Sequence, residues 1–150
     1  MSNNRYKSQP TVLETILVGL FKALWFLITL PFKGLKRGKK GLSLEERNYI
    51  TEKRLKIEGM LKSDNDIELK HAVMEADKLV DYTFQQKNYP GMTFADRLRA
   101  AEQSMPRNIY NDLWNGHKIR NQLAHENELR ITNQELRDAA KKLLNYLKQI

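Results

Sequence analysis

From residue 43 onward, apolar side chains recur at helical spacing, and no run alternates with period two. Ser43-x-x-Glu46 is a capping box that predicts a charged helix to about Lys62, with Ile50, Ile57 and Leu61 on one side. Asp64 or Asn65 can cap a longer helix, Asp66 to Lys87. Its Leu69, Val73, Ala76, Val80 and Phe84 step by four, three, four and four residues as a core stripe. Asn88-Tyr-Pro-Gly91 predicts a turn, and Thr93-x-x-Asp96 starts a short helix with Phe94, Leu98 and Ala101 inward. Pro106 suits the first turn of a further helix. Thr132-x-x-Glu135 opens the last one, whose stripe is Leu136, Ala140, Leu143, Leu147 and Ile150. Residues 43–150 are therefore expected to be all-α, an antiparallel helical bundle.

Ahead of the bundle the pattern changes. After a polar N-terminus at residues 1–10, residues 11–32 read as a membrane helix, with the run ILVGLFKALWFLITLPF holding a single charge. From Val12 to Phe32 such a helix is about 31 Å long, against a bilayer core of about 30 Å. Thr11, Glu14, Thr15, Lys22 and Thr29 gather on one side, with Gly19 among them. That stripe fits either a single span that pairs with another helix or an amphipathic helix in the interface. The wide apolar arc favours the span. A cleaved signal peptide fits less well, because the heavier basic flank follows the apolar run and no small-x-small site comes after it.

Charge sharpens the division. The formal net charge is +8, but residues 43–150 carry only +1 of it. Residues 33–42, KGLKRGKKGL, form a basic glycine-rich linker in which Lys33, Lys36, Arg37, Lys39 and Lys40 flank the membrane helix. The positive-inside rule puts that flank, and the bundle after it, on the cytoplasmic side of a single-pass membrane protein. A near-neutral bundle carries no broad basic surface for nucleic-acid phosphates. The chain has no cysteine, which excludes disulfides and thiolate metal sites. Three histidines without an H-E-x-x-H motif give no zinc set, so neither a metal nor a cofactor is expected. His71, among charged residues, reads as a surface side chain.

The segment Leu113 to His125 puts an arginine and two histidines on what otherwise reads as a core helix. With about 100° per residue and His117 at zero, Ile109, Leu113, Ala124, Tyr110 and Trp114 fall in one arc from about −80° to about +60°. Arg120, near −60°, lies inside that arc, and His125, near +80°, lies on its rim close to the helix end. A guanidinium in apolar surroundings needs an acid, carbonyls, a symmetry mate or a ligand anion. Read singly, each residue has a structural role open to it. Arg120 could pair with Glu75, Asp77 or Glu126, His125 could cap the helix end, Asn121 could bond backbone, and His117 could pack as a satisfied core histidine.

Arg120-Asn121-x-x-x-His125 resembles the R-x(4–6)-H signature of HEPN domains, with a polar residue after the arginine. The likeness covers about residues 65–150 and extends to the order of helices around the motif. Many HEPN proteins are metal-independent endoribonucleases that act as dimers. The resemblance implies a homodimer whose partner is RNA. Arg120 and Asn121 would hold the phosphate, His125 would move the proton, and His117 and Lys118 would lie on the substrate-binding side. Other members keep the fold without the activity. The alternative is a non-catalytic domain that binds a protein partner at the membrane, where the Arg–His motif is structural.

Overall fold

The computed structural model describes residues 40–125 and 131–150, and among them every regular element is helical. The helices are α1 (Leu44–Met60), α2 (Asp66–Gln86), α3 (Phe94–Ala101), α4 (Arg107–Ala124) and α5 (Asn133–Leu147), with a 3-10 turn at Glu102–Ser104. Ser43, Thr93 and Thr132 each accept from the backbone N–H three residues on, and Glu46, Asp96 and Glu135 answer from that position, completing three capping boxes. Asn65, not Asp64, caps α2 by accepting from the Ile67 N–H. Asp64 instead meets Arg137 at 2.5 Å.

The stripes pack as an up-and-down bundle. The start of α2 and the start of α5 share one cluster, Leu69 and Val73 with Leu136 and Ala140. Their far ends meet where the Phe84 and Tyr146 rings lie 5.3 Å apart, so α2 and α5 run in the same direction. Ile119 and Leu123, late in α4, pack on the cluster at the starts of α2 and α5, so α4 runs against both. Arg137 of α5 donates to the carbonyls of Leu61 and Ser63, and Arg47 donates to the carbonyl of Ile150, which sets α1 against α5. Gly116 permits the close approach of α4 and α5, since a Cβ there would lie 2.5 Å from Leu143 Cγ and 3.0 Å from the Ala139 carbonyl. The core begins ahead of Ser43: Leu42 is buried in it, and the Lys40 N–H bonds the Lys87 carbonyl at 3.3 Å.

Among the described residues no helix is long and apolar enough to cross a membrane. The expected membrane helix at 11–32 and its flank at Lys33, Lys36, Arg37 and Lys39 lie outside them. Lys40, the last of that flank, pairs with Glu46 at 3.2 Å.

Candidate functional site

The site is built around a buried carboxylate. Asp77 stands on the core stripe of α2, four residues after Val73, and its side chain is only 6% exposed. It binds two polar groups of α4. His117 Nδ1 is 2.8 Å from Asp77 Oδ1, and Arg120 Nε is 3.6 Å from Asp77 Oδ2. A carboxylate accepts, so the imidazole donates from Nδ1. This fixes the ring and leaves Nε2 without a hydrogen bond. Among the described residues the one solvent-excluded side-chain polar atom without a partner is Arg120 Nε, so His117 Nε2 keeps contact with solvent.

Packing holds the same ring. Phe94 stacks on His117 with centroids 4.3 Å apart and planes 17° from parallel, and Trp114 meets it edge-on at 6.2 Å. Phe94 is placed by the first turn of α3, and α3 is anchored by Arg97. The Arg97 guanidinium grips Asp81 through Nε and Nη2, both at 2.7 Å, and donates Nη1 to the Gly91 carbonyl. Gly91 takes a φ of +145°, and a Cβ there would lie 2.5 Å from Asp96 Cβ, so the turn before α3 requires glycine. Hydrogen bonds from the Thr93 hydroxyl and N–H hold the Asp96 carboxyl below the usual carboxylate range and stabilise that helix start.

The exposed side of α4 forms a groove of about 470 Å³, running from Trp114 to His125. His117, Lys118, Asn121 and His125 all line it, and no carboxylate does so among the described residues. His125 is the C-cap of α4 and exposed, on the rim as its helical phase predicts. Arg120 is not part of the lining. Its side chain is 34% exposed and turns toward Asp77, while Nη1 donates to Asn121 Oδ1 at 3.1 Å. The structure therefore brings together Asn121, His125, His117 and Lys118, and places Arg120 behind them as a brace for Asn121. One acid offered for Arg120, Asp77, is its partner. It is also the partner of His117, which the sequence did not indicate. Ala124, placed by phase on the apolar arc, is exposed, because α4 ends there.

Trp114, at the edge of the apolar arc, packs against the core but is only half-buried, and it also lines the groove. Arg99 of α3 lies over its ring at 5.4 Å. The spacing Trp114, Lys118, Asn121, His125 repeats every three or four residues, a stripe of its own beside the core stripe. His71 is exposed, 3.8 Å from Glu75.

No protein-family model matches the chain, and no curated protein or solved structure matches it.

Proposed function

We propose that the bundle is a HEPN-like module, tethered to the membrane by residues 11–32 on its cytoplasmic side, and that it cleaves RNA as a dimer without a metal ion. The observation that carries this is the groove. An exposed imidazole, His125, shares one surface with Asn121 and with a second imidazole, His117, whose ring is fixed by a buried carboxylate. Such a surface offers proton transfer and phosphate contacts from fixed side chains. In the reaction, the 2′-hydroxyl attacks the adjacent phosphorus, the 5′-oxygen leaves, and His125 moves the proton. Asn121 holds a phosphate oxygen. Its carbonyl is occupied by Arg120, so its amide N–H groups are the ones left to donate. Arg120 acts through this brace, and its cationic charge lies behind the anion.

A second reading has its own support. Arg120 turns toward Asp77 and Asn121 and not into the groove, and the groove wall at Trp114 is apolar, as a protein-binding surface would be. A non-catalytic interaction domain at the membrane is the alternative. The two part at one substitution. On the ribonuclease reading His125→Ala abolishes cleavage and leaves the melting temperature within about 2 °C, because an exposed terminal residue adds little packing. Intact RNA in the presence of folded wild-type protein favours the interaction domain. Unfolding of His125→Ala assigns the motif to structure.

A further inference from the structure

The stripe that ends at His125 begins well before the groove. Arg107, Trp114, Lys118, Asn121 and His125 fall within an arc of about 60° along α4, over about 27 Å. We propose that this ridge is the path of a single-stranded RNA, with Trp114 as the platform for one unstacked base and Lys118 as a phosphate contact. The proposal rests on the reading of the bundle as an RNA-acting module and names its substrate form and subsites.

Cations gather around the one ring that the ridge turns to solvent. Arg107 sits earlier on the ridge, over Tyr110, whose ring is buried in the core, and the Arg99 guanidinium, from α3, lies over Trp114 at 5.4 Å. Lys118 follows one turn later, exposed, and no ion pair or hydrogen bond holds its side chain. Arg107 pairs with Glu102 and Arg99 with Asp96, but these are exposed contacts, weak in water, that a phosphate can displace. Where the ridge becomes a groove, the described lining residues include Lys118 and no acid. A half-exposed indole flanked by cations suits a strand whose bases are splayed and whose phosphates run beside them. A duplex hides its base faces and gains nothing from an indole. A bundle with a net charge of only +1 over residues 43–150 binds nucleic acid through such a local stripe and not through its overall field. The ridge leads directly to His125, which would place a bound strand at the residue proposed to move the proton.

The test measures binding apart from cleavage. The full chain in detergent micelles, with chelator, is titrated into a short fluorescein-labelled oligonucleotide carrying 2′-O-methyl groups throughout, which lacks the attacking hydroxyl. Fluorescence anisotropy is read at several salt concentrations. The wild type should bind the single strand more tightly than the same strand annealed to its complement. Trp114→Ala should weaken binding about tenfold or more, and Trp114→Phe should restore most of the loss. Lys118→Glu should weaken binding and reduce the salt slope by about one phosphate contact. Lys56→Glu, an exposed change on α1, should leave affinity unaltered. Equal affinity for the duplex overturns the proposal. So does absence of binding, as would follow if the ridge docks a protein, or a loss with Lys56→Glu equal to that with Lys118→Glu. If Trp114→Ala unfolds, Trp114→Phe and Lys118→Glu decide. Binding with these effects but no cleavage of the unmodified RNA rejects the ribonuclease and keeps the ridge. Cleavage with binding indifferent to Trp114 and Lys118 does the reverse.

Discussion

Removal of the Asp77 carboxylate should be among the most damaging single changes in this bundle. Asp77→Ala breaks the 2.8 Å bond from His117 and takes away the anion nearest Arg120 Nε, an atom already without a hydrogen bond. A hydrogen bond to a charged group contributes about 1.5–3 kcal/mol. Stranding one member of a fully buried ion pair costs about 3–5 kcal/mol. Arg120 is one-third exposed and keeps Asn121, so its share belongs at or below the bottom of that range. The sum is about 2–6 kcal/mol. At about 4–8 °C per kcal/mol for a domain of this size, the melting temperature falls by roughly 10 °C or more. Circular dichroism melts of residues 40–150, the span holding the core described above, read this directly. Asp77→Asn keeps an acceptor for His117 and loses the charge, so it should cost about half as much. In an Arg120→Met background the Asp77→Ala loss should shrink by about 1 kcal/mol or more, the coupling expected of residues in one network. A melting temperature for Asp77→Ala within a few degrees of wild type, or strict additivity with Arg120→Met, would refute the view that this carboxylate organises the site.

Other outcomes follow from the same structure. Gly116→Ala adds a methyl 2.5 Å from Leu143 Cγ, and overpacking of about 1–3 kcal/mol outweighs a gain of about 1 kcal/mol in helix propensity, so the domain should melt at lower temperature; an unchanged or raised value would mean that α4 and α5 can separate at no cost. The Glu46, Asp96 and Glu135 carboxyls are held below their ordinary values by bonds from Ser43, Thr93 and Thr132. Their contribution is complete above those ordinary values, 4.5 for the glutamates and 3.8 for the aspartate, and is lost as pH falls through the lowered ones. Urea midpoints should therefore drop below about pH 4.5, and less steeply in Glu46→Gln/Glu135→Gln; identical slopes would exclude the caps as the cause. The full chain should resist alkaline carbonate extraction, with the bundle open to protease from the cytoplasmic side; release by carbonate would indicate an interfacial helix, and protection would reverse the topology.

Much of the helical order was legible because it rests on local signals. The capping boxes at Ser43, Thr93 and Thr132 and the stripe from Leu69 to Phe84 need only neighbours a few residues away, and each forms as its spacing indicates. Helical phase also placed His117 in the interior and His125 on the rim. What phase does not give is the partner across the helix interface. Arg120 required an acid, and three were within reach in principle. That Asp77 is the one, and that it holds His117 as well, depends on how α2 and α4 register. A signal was present: Asp77 lies on the apolar stripe of α2, four residues after Val73, just as Arg120 lies on that of α4. Trp114 serves both surfaces. Its phase puts it at the edge of the apolar arc, where it packs against the core, while Arg99 of α3 lies over its ring and part of it lines the groove.

The proposed function requires the surface ending at His125 to perform transesterification of RNA. The most direct measurement is mass spectrometry of the products formed from a single-stranded RNA by the full chain in micelles with excess chelator. The fragments should end in 2′,3′-cyclic phosphate and begin with a 5′-hydroxyl. These should be absent when the 2′-hydroxyls are methylated and absent with His125→Ala, a variant that melts like the wild type. Cleavage that requires a divalent metal, fragments with 5′-phosphates, or equal product from His125→Ala would contradict this function.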